Sequence, residues 1–311
     1  MIALVRHMPL DPGLHIFRWW RRTLMLSVVL VLVAAMGLFW RGLNLGVDFR
    51  GGVQLELRAT SGALDIDLLR DQMDALVPGG IIQEFGGPEE ALVNLPLPTA
   101  EGADLRALAL EEITRIKEGL PADAYEFRRT EFVGPKVGGE LRRAGLIATV
   151  LSLLAIAVYV WFRFEWQFAL SAFLTLIHDV VLTLGFYAWT GIEFNLTTLA
   201  AILAIAGYSI NDTVVIFDRV REILRRDRKH EAAHAMDEAP NRTLSRSLLT
   251  SLTTLLAVLI LFFFAGPLVR GLAAGLIFGV IIGTWSSIGL AIPMVRLMRF
   301  SRTQLDEATG N

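Results

Sequence analysis

The sequence predicts an α-helical polytopic membrane protein with one α+β domain held outside the membrane. Of its 311 residues, 54% are hydrophobic and the mean hydropathy is +0.52, more apolar than a typical soluble domain. The excess is gathered into long runs nearly free of charge, the pattern of helices that cross hydrocarbon. Charge is partitioned too. The net charge of −2 conceals 18 acidic against 10 basic residues between Arg41 and Leu141, with a basic remainder.

The first span reads as Leu24–Trp40 after a tail of residues 1–23. Arg21 and Arg22 before it, and Ala34 and Ala35 inside it, echo a signal peptide. The long apolar run and the tail before it favour a retained helix. Residues 41–141 then form the outer domain. Val53, Leu55 and Leu57 alternate with Gln54, Glu56 and Arg58, a half-buried strand. Ile66, Leu69, Met73 and Leu76 repeat at helical spacing, and Gly79-Gly80 ends that helix. Ile81–Phe85 and Ala91–Leu95 read as strands joined by Gly-Gly-Pro. Leu105–Ile116 is a second helix and Tyr125–Val133 a last strand. The order β-α-β-β-α-β predicts a ferredoxin-like split β-α-β sandwich, a fold that implies no function by itself. The domain holds no nucleophile–base set and no metal-ligating cluster. Its carboxylates read as a solvated surface or as a surface for an unfolded chain or partner.

Five more spans follow: Ala144–Phe162, Gln167–Trp189, Leu196–Phe217, Ser247–Ala265 and Gly271–Ile292. Trp19, Trp20, Trp40, Trp161, Trp166 and Trp189 fall at span ends, where indole rings prefer the interface. Six spans place both termini on one side. Arg6, Arg18, Arg21 and Arg22 mark the first tail, and Arg296, Arg299 and Arg302 the last. The connection 219–246 carries Arg219, Arg221, Arg225, Arg226, Arg228, Lys229, Arg242 and Arg246. By the positive-inside rule these regions are cytoplasmic. Arg142 and Arg143 run against it, flanking the second span on the outer side. Long translocated domains weigh less in that rule, so the orientation stands.

Polar groups at bilayer depth are costly, about 2.5–3.5 kcal/mol per charge on insertion scales, and so point to function. His178-Asp179 lies near the middle of the third span. Asn211-Asp212 lies in the fourth, followed by Thr213. Arg246 opens the fifth, among Ser245, Ser247, Thr250 and Ser251. Asp212 precedes Asp218 by six residues, which places it about 9 Å inside the cytoplasmic end of its helix. Arg246 sits at similar depth. Two readings fit: a carboxylate–guanidinium pair that binds and releases a proton as it opens, or a structural ion pair between two helices. Asp179 has the same choice between a transport role and a pairing with His178 or a hydroxyl that orients a helix.

In the sixth span Gly271, Gly275, Gly279 and Gly283 recur every fourth residue and make one smooth face for tight helix packing. His230-Glu231-Ala232-Ala233-His234 matches the H-E-x-x-H string of zinc metalloproteases. It follows an Arg/Lys run, and no other histidine follows it; it reads as coincidence on a surface helix. The absence of cysteine excludes disulfides, thiolate nucleophiles and Cys-type metal sites. Without a G-x-x-x-x-G-K-[ST] loop, ATP bound by this chain is not the expected energy source.

Five segments resemble the SecD/SecF family of protein-export membrane proteins. They are Leu45-Gly-Val-Asp48-Phe-Arg50-Gly51-Gly52, Val133-Gly134-Pro135 through Leu141, Ile177-His178-Asp179, Gly207 through Val215 with Phe217 through Glu222, and Asn241 through Arg246. The likeness runs from about Arg18 to Arg299. One modest outer domain and six spans match the smaller of the family's two subunits. The resemblance implies a fold of the resistance–nodulation–division transporter type in a bacterial inner membrane, with the outer domain periplasmic and both termini cytoplasmic. It implies pairing with SecD into a twelve-span unit on the SecYEG channel, with YajC and YidC as further partners, no nucleic acid, and unfolded preprotein as the chain acted on. The implied energy source is the proton motive force, with protons as coupling ion and no cofactor. On this likeness Asp212 and Arg246 carry a proton-linked switch, supported by Asp179, His178 and Asn211, and SecD supplies a second intramembrane carboxylate. The His-Glu-Ala-Ala-His string is not a family motif.

Overall fold

The computed structural model describes residues 19–78, 80–85, 87–95, 105–226, 232–298 and 300. Among them, six helices are long and apolar enough to cross a membrane. They are α1 (Trp20–Trp40), α5 (Pro135–Arg163), α6 (Trp166–Thr190), α7 (Leu196–Arg226), α8 (Ala232–Phe264) and α9 (Pro267–Ser286), the last continued by a π-helical segment Ser287–Ala291 and by α10 (Ile292–Leu297). Between α1 and α5 come α2 (Val47–Arg50), β1 (Gly52–Ala59), α3 (Ile66–Leu76), β2 (Ile81–Phe85), β3 (Gly87–Leu95), α4 (Leu105–Gly119) and β4 (Tyr125–Val133).

Several helices outrun the spans read from hydropathy. The second span was expected at Ala144–Phe162, but its helix opens at Pro135, where proline's fixed φ and missing N–H suit the first turn. Residues 135–141 therefore continue into the membrane as helix. The fourth span extends to Arg226 and the fifth starts at Ala232, so most of the basic connection 219–246 is helical. Hydropathy marks where hydrocarbon ends; the backbone ladder continues wherever side chains tolerate it. In the sixth span Pro293 cannot donate a backbone hydrogen bond, and the π segment just before it absorbs the break.

The helix α6 is the centre of the bundle and buries most of its length, whereas α1, α5 and α8 bury little. At one end Phe164, Phe168, Phe217, Val220 and Val295 form an apolar core; at the other Phe49, Leu176, Tyr187, Phe194 and Ile202 do so. Helix α1 lies against α6, where Gly185 meets Ala34 and the Trp189 indole donates to the Val33 carbonyl at 2.8 Å. The proline inside α8, Pro240, is buried.

The outer domain carries a four-stranded antiparallel sheet in the order β2-β3-β1-β4. Val53 pairs with Leu95 on β3 and Phe132 on β4, and the β1–β4 register shifts between Glu56 and Leu57. Val53, Leu55 and Leu57 are fully buried and pack with Leu69 and Met73 of α3 and Ile116 of α4. The alternation read from β1 is therefore the true core face. Asp65 caps α3 through the Leu68 amide. The third strand is longer than expected, starting at Gly87 rather than Ala91, because the hairpin closes with Phe85 opposite Gly87. The short α2, in the segment Leu45–Gly52, was not anticipated.

Candidate functional site within the membrane spans

Asp179 is fully buried on α6, held by two hydroxyls and an imidazole. Its Oδ2 accepts from Ser209 Oγ of α7 at 2.5 Å and from Ser286 Oγ of α9 at 2.7 Å. Its Oδ1 lies 2.8 Å from Nδ1 of the neighbouring His178. The Nε2 of His178 makes no hydrogen bond among the described residues, and the ring lies 6.1 Å from that of Trp285. Each hydroxyl donor offsets part of the cost of keeping a carboxylate out of water.

One turn further along α7, Asp212 is also buried. Its Oδ1 accepts from Ser247 Oγ of α8 at 2.6 Å, while Oδ2 accepts no hydrogen bond among the described residues. Thr213 Oγ1, next in the chain to Asp212, and Ser287 Oγ, next to Ser286, lie 3.0 Å apart. Beyond Asp212, Ser251 bridges Tyr208 and Thr284 at 2.9 and 2.6 Å. A polar layer thus crosses α6, α7, α8, α9 and the π segment. π segments recur at functional sites, and this one sets Ser287 one residue after the serine that faces Asp179.

The residues singled out in the sequence separate here. Asp179, His178 and Asp212 belong to the layer. Asn211 is exposed on the opposite side of α7. Arg246 is exposed too; its neighbour Ser247 holds Asp212, although the guanidinium is close enough for the two charges to interact. Ser286 and Ser287 escaped notice because a serine in a span is cheap and carries no charge signal. The glycine face has its partners inside the chain: Gly271 against Ile192 and Thr198, Gly275 against Tyr187, Gly279 against Ile205, and Gly283 against Ser209. Tyr187 Oη donates to the Gly271 carbonyl at 3.1 Å across this seam. Of the H-E-x-x-H string, His230 and Glu231 lie outside the described residues. His234 lies 3.5 Å from Glu238 on the next turn.

The motif segments after α1 and before α5 meet at the outer end of the bundle. Gly51 has φ +74°, and a Cβ there would lie 2.6 Å from the Pro135 Cα; one on Gly138 would lie 2.8 Å from the Gly51 nitrogen. Gly134 caps α5 and Gly52 opens β1 at φ +135°. Arg50 points to the exposed surface. Asp48 Oδ2 accepts from the Leu196 amide at 2.9 Å, while Asn195 Oδ1 accepts from the Thr197 and Thr198 amides at 3.1 Å. Together they satisfy the first three amides of α7. Beside this cap, Glu193 reaches the sheet, accepting from Gln54 at 3.2 Å and Asn94 at 3.5 Å. Burial pushes the Glu193 carboxyl above its ordinary range; hydrogen bonds from Gln54, Asn94 and Asn195 oppose that, and the Asp48 charge adds to it.

Residues 114–301 match the family described as protein export membrane protein SecD/SecF, C-terminal, and residues 38–63 match the SecD/SecF GG motif. The chain belongs to the SecD/SecF protein-export family. Relatives in this family include protein translocase subunit SecF of Magnetococcus marinus, 42% identical over 273 residues covering 88% of each chain. SecF of Helicobacter pylori strain J99 is 40% identical over 290 residues, covering 92% of this chain and 88% of its own. Among solved SecD/SecF structures, SecDF from Thermus, described as a translocon-associated membrane protein, superposes with a TM-score of 0.83 at 33% identity. That match covers 94% of this chain but 39% of the SecDF chain, so this chain spans about two fifths of it. The GG motif match contains Asp48, Gly51 and Gly52, which join the outer domain to the bundle.

Proposed function

We propose that this chain is the SecF subunit of a bacterial Sec protein-export machine. With SecD it uses the proton motive force to promote late steps of preprotein translocation through SecYEG. The observation that carries the reading is the pair of buried span carboxylates, with one Asp212 oxygen left unpartnered. Support also comes from the SecF names of the relatives at about 40% identity. In this reading the spans have the resistance–nodulation–division arrangement. The sheet order and antiparallel pairing fit a ferredoxin-like periplasmic domain, and both termini are cytoplasmic in the inner membrane. YajC and YidC are proposed as further partners, protons as the coupling ion without a cofactor, and the chain as a proton-driven accessory subunit rather than an enzyme.

A proton reaching Asp212 Oδ2 turns an acceptor-only carboxylate into a group that also donates, and removes its charge. The attraction to Arg246 falls, and the Ser247 hydrogen bond is weakened. Ser247 and Arg246 stand about 100° apart around α8, so a modest rotation exchanges hydroxyl for guanidinium at Asp212. Moving one charge through 100 mV supplies about 2.3 kcal/mol, enough to bias two states that differ little in energy. The other end of α7 is capped by Asp48, one residue before Phe49 and three before Gly51, so movement of α7 is passed to β1 and the sheet. Asp179 and His178 hold the neighbouring half of the layer.

The test is Asp212→Asn, which keeps the shape and the acceptor for Ser247 but cannot ionise. Membrane vesicles carrying the variant with its partners are expected to translocate preprotein at the same rate with and without an imposed proton gradient, while wild-type vesicles accelerate. Gradient-stimulated translocation in a stably inserted variant would sink the reading.

A further inference from the structure

At the outer end of the bundle lies a cavity of about 310 Å³ that the proton chemistry does not use. Leu43, Leu45 and Phe49 wall it from the motif segment, Leu146 from α5, Val180 and Leu184 from α6, and Leu199 and Ile202 from α7. The Thr149 hydroxyl on its wall is turned to the Gly145 carbonyl at 2.8 Å, leaving the lining almost wholly apolar. Leu146 is 66% exposed and so stands at the mouth, on the side where α5 faces away from the bundle. The volume is at the low end of the roughly 300–1,000 Å³ of small-molecule sites, the size for a slender aliphatic chain.

One charge lines this cavity. Arg142 is exposed, seven residues after Pro135, and so about 10 Å along α5. It makes no hydrogen bond or ion pair among the described residues. Glu140, two positions earlier, is on a different face of the helix. Arg142 and Arg143 are also the two arginines that run against the positive-inside pattern. A guanidinium with no partner among the described residues, beside an apolar slot at the membrane edge, is free to receive an anion that lives there. Its planar fork matches a phosphate bidentately.

We propose that this cavity binds an anionic phospholipid of the outer leaflet, one acyl chain entering past Leu146 and the phosphate resting on Arg142. The inference depends on membrane insertion but not on the proton-linked switch. It also assigns a role to a charge that the topology leaves unexplained.

The full-length protein, purified in mild detergent, is incubated with equal amounts of phosphatidylglycerol and phosphatidylcholine, and retained lipid is counted by native mass spectrometry. Wild type is expected to retain one phosphatidylglycerol at least fivefold over phosphatidylcholine. Arg142→Gln, at an exposed position, is expected to remove that preference, and Arg142→Lys to keep part of it. Leu146→Trp, which narrows the mouth from an exposed lip, is expected to lower retention of both lipids. No retained lipid, retention without headgroup preference in wild type, or a preference unchanged in Arg142→Gln would each overturn the proposal. Release of the lipid on assembly with the partner subunit would overturn it as well, assigning the slot to a protein helix.

Discussion

Glu193 is a carboxylate placed between two bodies, on the α6–α7 loop but hydrogen-bonded to β1 and β3. Its folded pKa is raised above the ordinary value of 4.5, chiefly by burial. The folded state therefore keeps the proton when the unfolded chain has lost it. Stability from this group is fully present below about pH 4.5 and is lost as pH rises through the folded pKa. The melting temperature of the purified protein is expected to fall as pH rises above 4.5, and Glu193→Gln to flatten that slope and melt higher at its alkaline end. An equal slope in the variant would remove Glu193 as the source. At this scale the sequence was partly legible. Asp179 and Asp212 announced themselves because a charge in an apolar run is conspicuous. Glu193, just outside a span, and Ser286, uncharged within one, carried no such signal. Arg246 shows the limit of depth arguments: rise along the helix placed it at the height of Asp212, but one residue of rotation gave that contact to Ser247.

Among the elements, α9 packs closely on both α6 and α7, at glycines whose missing side chains admit Tyr187 of α6 and Ile205 and Ser209 of α7. A methyl group on Gly275 would overlap the Tyr187 hydroxyl, which itself holds the Gly271 carbonyl. Gly275→Ala is expected to cost about 1–3 kcal/mol, as overpacking does, read as a lower unfolding midpoint in mixed micelles. Gly207, exposed on α7 with open space around it, is the control, and Gly207→Ala should stay within about 0.5 kcal/mol of wild type. The N-terminus of α7 makes a second case. Asp48→Ala leaves the Leu196 amide unpaired and should cost about 1 kcal/mol, while Asp48→Asn should cost less because its amide oxygen still accepts. The i+4 glycine pattern was plain in the sequence, but its partner was not. Periodicity shows that a face is smooth, and only the tertiary arrangement shows what lies on it. The cap on α7 was hidden for a related reason, since its first acceptor stands 148 residues away.

Across the whole molecule, the outer domain and the bundle meet through Gly51, Pro135, Asp48 and Glu193. Widening this seam should loosen one body against the other without unfolding either. The chain has no cysteine, so spin labels can be placed at Asp71→Cys and Arg163→Cys. Gly138→Val is expected to broaden the measured distance distribution, and an unchanged distribution would show that the bodies are held elsewhere. Six spans with one α+β insertion were readable because hydropathy and strand alternation are local signals. The order of packing was not: Trp189 bonds to Val33 across 156 residues, and nothing in either segment names the other. That contact governs how the protein can be made. During synthesis at about 5–20 residues per second, α1 leaves the ribosome roughly 8–30 s before its partner surface on α6 exists. The α+β domain is encoded between them, so α1 waits in lipid with its Ala34 face bare through the synthesis of that whole domain. A chaperone that shelters lone helices would meet this protein at that moment and at that face.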